Sequence, residues 1–399
     1  MLHAPCNMQD LTPILAVVRR LLLLVSAIVF VDAMLFGALT PLVPGYAEEF
    51  DLSKTGAGLL LGSFGAGALL GGIPGGIAAA RFGPKRAVVG GLLLLALASF
   101  AFAAADSAFA LGAARVVQGL SSTFTWAGAL AWIAVVAPAS RRGQVIGTAF
   151  GAAVFGTVLG PMFGGVAELV GTRPSFVAVG VLVLAFTAFA AIHPAAPSEP
   201  TTRAGLIRAL RDPRFLGGLW LNTLPALLFG VLILLVPLAL YAEGWTPFAI
   251  GIVFVAAGLV EVVLNPLIGR ASDRVGRLLP IRVALIFSTV VAVALAAASE
   301  PIVIAVLVGA SALAFGGFYT PGMSLGSVRA DVAGLSQGLA FGLMNTAWAL
   351  GEMTGPSVGG ALAARFGDAV PYLVGAALCV LTLFATQRVA GQRARPREA

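Results

Sequence analysis

The sequence is poor in charged residues. Only 10% of its 399 residues are Asp, Glu, Lys or Arg, whereas 59% are hydrophobic. So small a share of polar side chains cannot cover the surface of a water-soluble domain of this length. The composition therefore excludes a soluble globular protein and indicates a protein of the lipid bilayer.

Cysteine and histidine are almost absent. The two cysteines, Cys6 and Cys379, stand near opposite ends of the sequence, and the two histidines are His3 and His193. This spacing excludes a disulfide framework, a CxxC metal site and a zinc cluster. We also find no pair of nucleophile and base and no phosphate-binding loop, so the sequence predicts no enzyme, no metal and no cofactor.

Long apolar segments are abundant. Runs of about 20 residues, enough to cross roughly 30 Å of hydrocarbon, recur along the chain. We place twelve of them, at residues 21–43, 55–80, 87–105, 108–136, 144–167, 174–193, 215–241, 247–269, 278–298, 301–327, 335–364 and 370–387. The sequence therefore predicts an all-α membrane protein with twelve transmembrane helices.

Basic residues fall mostly on one side of these spans. With a cytoplasmic amino terminus, only Lys54, Arg173 and Arg365 lie in outer loops and Arg115 lies within a span, which leaves 20 of the 24 Lys and Arg residues inside. Basic loops resist translocation, so both termini are predicted to be cytoplasmic. The same asymmetry accounts for the net charge of +7 without nucleic acid as a partner.

The cellular setting follows from composition as well. Arg greatly outnumbers Lys, and Ala and Gly are frequent, a composition typical of GC-rich bacterial genomes. We therefore expect the inner membrane of a bacterium as its location.

A polar break divides the chain into nearly equal halves. Residues 194–214 are rich in Pro and Arg and separate residues 1–193 from residues 215–399, with six predicted spans in each. The stretch 203–211 is compatible with a short amphipathic helix on the inner surface. The simpler interpretation is a solvated tether with no regulatory role.

One pattern, GxxxGPxxGG, occurs in both halves. It reads GTVLGPMFGG at 156–165 and GEMTGPSVGG at 351–360. In a helix its glycines lie four apart and form a stripe that lets a second helix approach closely, and its proline removes a backbone hydrogen bond and predicts a bend. The residues of the two copies are Gly156, Gly160, Pro161 and Gly164, and Gly351, Gly355, Pro356 and Gly359.

A second pattern is repeated 193 residues apart, between spans 2 and 3 and between spans 8 and 9. Gly76, Arg81 and Gly83 match Gly269, Arg274 and Gly276, and the second copy also contains Asp273. Two repeated patterns at nearly the same offset indicate an internal duplication. Duplicated membrane bundles are typical of transporters, whose substrate site lies between two halves.

These motifs resemble those of the major facilitator superfamily over nearly the whole chain. GRASDRVGR at 269–277 is similar to its loop motif, in which the resemblance implies a latch through Asp273, whereas the first copy has Ala80 and Pro84 at the family's acidic and basic positions. RVVQG, with Arg115, resembles the RxxQG motif of proton-coupled members, and GTVLGPMFGG resembles the motif of proton-driven exporters. Asp32 before a Pro-x-x-Pro is similar to tetracycline exporters and vesicular monoamine transporters.

Four ionisable residues lie inside predicted spans: Asp32, Arg115, Glu261 and Glu352. Together they cost roughly 10 kcal/mol on insertion scales, so the protein interior or a wet cavity must receive them. Asp32 and Arg115 lie about 13 and 10 Å below the outer face by helical rise, so they can pair. We predict that all four take part in proton coupling. A purely structural salt bridge for Arg115, and a role for Glu261 limited to neighbouring helices, are the alternatives.

Polar and aromatic residues share helix faces with these charges. Ser122 and Trp126 lie on the face of Arg115 with Gln118 at its edge, and Asn345 and Trp348 lie on the face of Glu352. The predicted substrate-binding residues are Asp32, Gln118, Ser122, Trp126, Asn222, Tyr319, Asn345, Trp348 and Glu352.

A mechanism follows from charge. A carboxylate in a low-dielectric cavity needs either a proton or a cation to neutralise it, so the halves rock only when the site is loaded. Three acids and one Arg give the ionised cavity a formal charge of −2, which favours cationic or neutral amphipathic substrates. The predicted function is proton-driven export, as in drug efflux, by a monomer whose partners are the lipid bilayer, protons and a small-molecule substrate. The alternatives are a sugar or metabolite transporter of the same fold and, further away, a membrane receptor without transport.

Overall fold

The computed structural model describes residues 8–136, 142–195, 203–276, 278–335 and 337–391. Regular structure within these ranges consists of fourteen α-helices and a 3-10 turn at Thr40–Leu42. The first seven helices are α1 Met8–Ala38, α2 Val43–Glu49, α3 Lys54–Phe82, α4 Pro84–Ala104, α5 Ala108–Val136, α6 Arg142–Val170 and α7 Thr172–Ile192. The others are α8 Arg203–Leu210, α9 Pro213–Ala242, α10 Pro247–Val275, α11 Leu278–Ala297, α12 Pro301–Val332, α13 Gln337–Phe366 and α14 Ala369–Gly391. The all-α prediction is confirmed for the described residues.

The outer surface of the bundle is apolar. Within the described ranges, ten segments are long and apolar enough to cross a membrane. Large side chains such as Leu70, Leu169 and Val306 are mostly exposed on this surface. Water would not tolerate so much apolar surface, whereas lipid tails solvate it. Two further long helices are α5, which carries six buried polar or charged side chains, and α13, which carries the buried Glu352.

Polar caps and glycines set the helix ends. The side chains of Ser53, Asp212 and Thr246 accept hydrogen bonds from backbone amides in the first turns of α3, α9 and α10. At the other end of α3 and of α10, Gly83 and Gly276 have φ values of +90° and +83°. A side chain would strain both positions, so the two equivalent loop glycines serve the same purpose.

The packing of helices α1–α7, the first group, is repeated in helices α9–α14, the second group. Helix α4 packs on α7 as α11 packs on α14, and α1 packs on α6 as α9 packs on α13. The repetition reaches single hydrogen bonds: Lys85 donates to the carbonyl of His193 at 2.6 Å, and Arg282 donates to the carbonyl of Thr386 at 2.9 Å. Each bond joins the first turns of one helix to a carbonyl in the carboxyl-terminal part of the helix that packs on it.

The segment between the two groups differs from the tether expected for it. Residues 203–210 form helix α8, which packs against the second group through a buried cluster. The buried members of that cluster are Ala209, Phe215, Ala330, Ala333, Leu335 and Ala340. Gly205 allows this docking, because a Cβ there would lie 2.5 Å from the carbonyl oxygen of Gly334. Small residues in α8 let the backbones meet, and a composition-based interpretation misses that effect.

The two groups of helices meet along α3 with α13 and along α6 with α10. A Cβ on Gly251 would lie 2.6 Å from the carbonyl oxygen of Pro161, and a Cβ on Gly258 would lie 2.7 Å from Val158. By contrast, Gly151, further back on the same face of α6, has open space around it. Helices α6 and α10 are therefore in close contact at Pro161 and Val158 but not at Gly151, whereas α3 and α13 stay in contact as far as Gly72 and Thr346.

Polar contacts also join the two groups at one end of the molecule, near the start of α3 and the end of α9. Lys54 at the start of α3 forms an ion pair with Asp368 before α14, and the hydroxyl of Tyr241 donates to Glu48 at 2.9 Å. Both contacts join the first group of helices to the second. This end is the one that the distribution of basic residues predicts to be outside.

Candidate functional site

Asp32 lies deep within the bundle on α1 and is only 2% exposed. Its Oδ2 accepts hydrogen bonds from Ser122 Oγ at 2.6 Å and from Trp126 Nε1 at 2.8 Å. The two donors are one turn apart on α5, so a single helix face presents both to the carboxylate. Its Oδ1 is buried without a hydrogen-bond partner. One oxygen of the carboxylate is thus anchored, and the other remains available to a ligand.

Arg115, on the same helix as Ser122 and Trp126, is also buried. It does not form with Asp32 the ion pair that the predicted depths of the two residues allow. Its guanidinium instead donates to the carbonyl oxygens of Leu35 at 3.1 Å and Phe36 at 3.3 Å, and to Gln118 Oε1 at 2.8 Å. The reason is register: α5 runs antiparallel to α1, so Arg115 lies beside the turn that follows Asp32. Arg115 nevertheless interacts electrostatically with Asp32 across this short distance.

An aromatic cluster covers the other side of Arg115. The ring of Phe64 on α3 lies 4.9 Å from its guanidinium carbon, within the range of a cation–π contact. Phe36 lies 5.0 Å from Phe64 and 5.2 Å from Trp348 of α13, ring centre to ring centre. The cluster therefore joins α1, α3 and α13. Sequence reasoning missed Phe36 and Phe64, although Phe36 stands one turn after Asp32.

Glu352 brings a second buried carboxylate to the same region. It lies one turn after Trp348 on α13, and its backbone packs against Gly65 of α3, where a Cβ would lie 2.8 Å from the Glu352 carbonyl carbon. Arg115 interacts electrostatically with Glu352 as well as with Asp32. The structure thus brings three of the four predicted charges together, one of them from the second group of helices.

The fourth charge, Glu261 on α10, lies beside α12. A Cβ on Gly316 would lie 2.9 Å from its Oε1, so this glycine makes room for the carboxylate. Tyr319, one turn away on α12, interacts electrostatically with both Glu261 and Glu352. Tyr319 is therefore within electrostatic range of a carboxylate of α10 and of a carboxylate of α13.

The remaining predicted substrate residues differ in their surroundings. Asn222 on α9 is 1% exposed, and both atoms of its amide group are without a hydrogen-bond partner. Asn345 is half-buried on the face of α13 that carries Trp348. Trp220, two residues before Asn222 on α9, donates to Thr382 of α14 at 2.9 Å and is partly exposed, so it faces away from Asn222.

The glycine stripe of the first GxxxGPxxGG copy lies against α1. A Cβ on Gly160 would lie 2.6 Å from the carbonyl oxygen of Met34, and one on Gly164 would lie 2.9 Å from Pro41. Gly156 meets Phe30 in the same way. Pro161 lies within α6 without ending it. The extent of the bend at this proline stays a prediction.

The second copy repeats this arrangement against α9. A Cβ on Gly351 would lie 2.7 Å from Ala226, one on Gly355 would lie 3.1 Å from the Cα of Gly230, and one on Gly359 would lie 3.0 Å from Val231. Pro356 lies within α13, and its carbonyl faces Gly58 of the first group. Both motif helices thus pack on their own group with one face and on the other group with a second face.

The duplicated loop motif is described in part. Gly76 is half-exposed with open space around it, Arg81 lies 5.7 Å above the ring of Phe82, and Arg274 is exposed. Gly269 and Asp273 lie in α10, but the side chain of Asp273 is outside the described residues. The latch that the family resemblance assigns to Asp273 stays a prediction.

A helical membrane bundle with repeated packing and a charged interior defines the class of membrane transporters. The sequence profile of the Major Facilitator Superfamily matches residues 25–339 and, in a second alignment, residues 226–399. This chain belongs to the Major Facilitator Superfamily. It is a multi-pass transporter of the bacterial inner membrane, as predicted, and members of this family are not enzymes.

Two relatives are similar over most of their length. The quinolone resistance protein NorA of Staphylococcus aureus is 27% identical over 347 residues, which cover 84% of this chain and 87% of that protein. Multidrug resistance protein 2 of Bacillus subtilis is 23% identical over 360 residues, covering 86% and 89%. The resemblance to drug-efflux-like members of the family is therefore confirmed.

Solved structures show the same fold. A bacterial homologue of the human lysosomal transporter Spinster, crystallised in an inward-facing and occupied conformation, superposes with a TM-score of 0.75 at 16% identity, covering 96% of this chain and 99% of that one. The nucleoside transporter NupG gives a TM-score of 0.71 at 14% identity, covering 92% and 98%. At these identities the similarity concerns the fold alone.

Proposed function

We propose that this transporter exports small amphipathic compounds, cationic or neutral, in exchange for protons. One observation carries the proposal: Asp32 is a buried carboxylate that is held by Ser122 and Trp126, has one unpartnered oxygen and forms no ion pair. Such a group needs a proton or a cationic ligand. The relatives named for quinolone and multidrug resistance support the substrate class.

The proposed topology has twelve spans with both termini in the cytoplasm. The ten apolar helices, together with the more polar α5 and α13, give this number when α2 and α8 are counted as short helices outside the spans. Residues 1–193 and 215–399 would then be two six-helix bundles of one monomer, joined by residues 194–214. The preponderance of basic residues on the cytoplasmic side of this arrangement supports the orientation.

The proposed site lies between these bundles. Asp32 would bind the proton or the substrate cation, Arg115 would hold the carboxylates in range of one another, and Glu352 with Glu261 would complete the proton-coupling set. The substrate would contact polar and aromatic side chains from both bundles, namely Gln118, Ser122, Trp126, Asn222, Tyr319, Asn345 and Trp348.

Competition at Asp32 would produce exchange. Protonation and binding of a cation both neutralise the carboxylate, and either event lowers the cost of enclosing it in a dry interior. A charged and empty site would resist closure, so the bundles would change sides only when loaded. The gradient of protons would then drive the substrate outward.

The helix contacts between the bundles would supply the rocking motion. In the described conformation the two bundles are in contact at the predicted outer end, where Lys54 meets Asp368, and where Gly251 meets Pro161. Export would require these contacts to open in turn. The glycine-lined contacts involve backbone atoms with few interlocking side chains, which allows one surface to rock on the other.

The test is transport by the Asp32→Asn variant in inverted vesicles with a fluorescent cation. Asn has the same shape and can keep the hydrogen bonds from Ser122 and Trp126, so the fold should persist while the titratable group is lost. Proton-driven transport should fall to the background of vesicles without the protein. Asp106→Asn, at an exposed acid in a loop, is the matched control and should transport normally. Normal proton-driven transport by Asp32→Asn would remove this residue from the mechanism.

A metabolite transporter of the same fold is the second candidate. The unpartnered amide of Asn222 favours it, because a buried amide suits the hydroxyl groups of a sugar or another polar neutral ligand. Uptake assays in liposomes with a neutral polyol, with and without a proton gradient, separate the two functions. Uptake that needs no gradient would favour the second candidate over proton-driven export.

A further inference from the structure

Helix α8 packs against the second group of helices, and its buried contacts fix its orientation. Ala209 is fully buried in the cluster that joins α8 to α9, α12 and α13, and Gly205 lies against the backbone of Gly334. These contacts occupy one side of a two-turn helix. The opposite side is consequently held outward at a constant position relative to the membrane-spanning helices.

The exposed residues of α8 and of the first turn of α9 are apolar as well as basic. Ile207 is 54% exposed and Leu210 is 43% exposed on α8, and Leu216, in the first turn of α9, is 44% exposed. Arg211 and Arg214 lie between these residues in the sequence, and both are exposed. Apolar side chains next to arginines at the end of transmembrane helices form the pattern of an interfacial helix, in which the apolar part enters the lipid and the charges face the headgroups.

The one acid of residues 203–216 does not cancel this charge, because it is engaged within the protein. Asp212 forms an ion pair with Arg329 of α12 and accepts a hydrogen bond from the backbone amide of Arg214 at 2.9 Å. Partial burial raises the pKa of Asp212, but the hydrogen bonds from Arg214 and Arg329 and their positive charges outweigh it and hold the pKa below its usual range. Asp212 therefore stays ionised in its ion pair with Arg329, so this acid is matched by a cation of α12 and the two exposed arginines, Arg211 and Arg214, leave the segment with a net positive charge.

We propose that the outward surface of Ile207, Leu210, Arg211, Arg214 and Leu216 binds an anionic phospholipid of the cytoplasmic leaflet. Two arginines match the phosphate and the anionic headgroup, and three exposed apolar side chains match the first carbons of the acyl chains. The proposal depends on the proposed orientation of the chain, which places α8 at the cytoplasmic leaflet. It does not depend on Asp32 or on the nature of the exported substrate.

The experiment measures lipid-dependent stability of the purified full-length protein in a neutral detergent. A ligand that binds the folded state raises the unfolding temperature by mass action, so the curve against lipid concentration gives an apparent affinity. The probes are short-chain phosphatidylglycerol, phosphatidylcholine of the same chain length, and glycerol phosphate as a headgroup without chains. We expect phosphatidylglycerol to stabilise the protein at lower concentration than either other probe.

The decisive variant is R211Q/R214Q, with R19Q/R20Q as its control. Both remove two exposed positive charges from the predicted inner surface, so net charge changes equally. We expect R211Q/R214Q to bind phosphatidylglycerol about 5- to 30-fold more weakly, and R19Q/R20Q to change binding less than about twofold. Equal effects of the two variants would overturn the proposal, as would equal stabilisation by phosphatidylcholine or by glycerol phosphate.

A second variant tests the apolar part and guards against failure of the first to fold. Ile207→Gln removes an exposed apolar contact and leaves both arginines in place. It should weaken phosphatidylglycerol binding about threefold or more while leaving the unfolding temperature without lipid unchanged. Unaltered lipid binding in Ile207→Gln would contradict the interfacial docking. Because none of these readouts involves transport, failure here is distinguishable from failure of proton-driven export.

Discussion

Adding one methyl group at Gly160 tests how closely α6 and α1 must approach. A Cβ at this position would lie 2.6 Å from the carbonyl oxygen of Met34 and 2.9 Å from the Cα of Gly37. Both neighbours are backbone atoms, which cannot rotate away as a side chain can. Gly160→Ala must therefore push the two helices apart or distort one of them, and overpacking of this kind costs about 1–3 kcal/mol.

A matched substitution on the same helix isolates that cost. Gly151 has open space where an added methyl group would lie, so Gly151→Ala adds the same helix propensity without a clash. The difference between the two variants is then the cost of the lost close approach. Thermal unfolding in detergent is the assay, and the entropy of unfolding of a chain this long converts the cost into a decrease of about one to four degrees.

The outcome is decided by comparing the two unfolding temperatures. Gly160→Ala is expected to unfold below Gly151→Ala, and the latter should match or exceed the unsubstituted protein. If both variants unfold at the same temperature, the glycine stripe is not needed for close packing, and the physical explanation given for the repeated motif is wrong.

Three further predictions use the same unfolding assay. Arg115→Lys should lower stability by about 1–3 kcal/mol, because an ammonium cannot reproduce the planar fork that reaches the carbonyls of Leu35 and Phe36; unchanged stability would contradict this. Lys54→Ala should cost less than about 1 kcal/mol, since its ion pair with Asp368 is solvent-exposed, and a larger loss would show a stronger role in closing that end. Asp212→Asn should destabilise the protein at pH 7, and the difference from the unsubstituted protein should begin to shrink as the pH falls below about 4. The reason is that the pKa of Asp212 is lower in the folded protein than in the unfolded chain, so its ionised form stabilises the fold above the unfolded-state pKa, and this stability is lost as the pH falls through the folded-state pKa. A pH-independent difference would refute this explanation.

The helices and their repetition are readable from the sequence because lipid imposes a simple rule. Each apolar run must be long enough to cross the hydrocarbon and must satisfy its backbone internally, so most helices begin and end near the predicted limits. Helices α1, α10 and α12 extend past those limits because a helix continues beyond the hydrocarbon when its polar ends are solvated. Apolar periodicity alone carries no information on that continuation.

The interior site was predictable in its members and less so in its contacts. Helix periodicity places Ser122 and Trp126 on one face of α5, and both donate to Asp32. Depth estimates also place Arg115 near Asp32. They cannot resolve a difference of one helical turn, and they do not show that backbone carbonyls of α1 accept the hydrogen bonds of the guanidinium in place of the carboxylate. Phe64 escaped notice for a related reason: its role depends on how α3 lies against α5, which is a tertiary property.

Contacts between the two groups of helices lie beyond sequence reasoning. Lys54 meets Asp368 across 314 positions, and Tyr241 meets Glu48 across 193. Neither pair has a local spacing that marks it. The docking of α8 belongs to the same class, since only the arrangement of α12 and α13 provides the surface that buries Ala209.

Coupled movement of protons and substrate is the central claim, and reconstituted liposomes test it most directly. The purified protein is placed in liposomes with an acidic interior, the membrane voltage is clamped at zero, and accumulation of a permanently charged fluorescent cation is recorded together with internal pH. We predict uphill accumulation that is accompanied by alkalinisation of the interior and is absent with Asp32→Asn. Accumulation without proton movement, or equal accumulation by Asp32→Asn, would contradict the account.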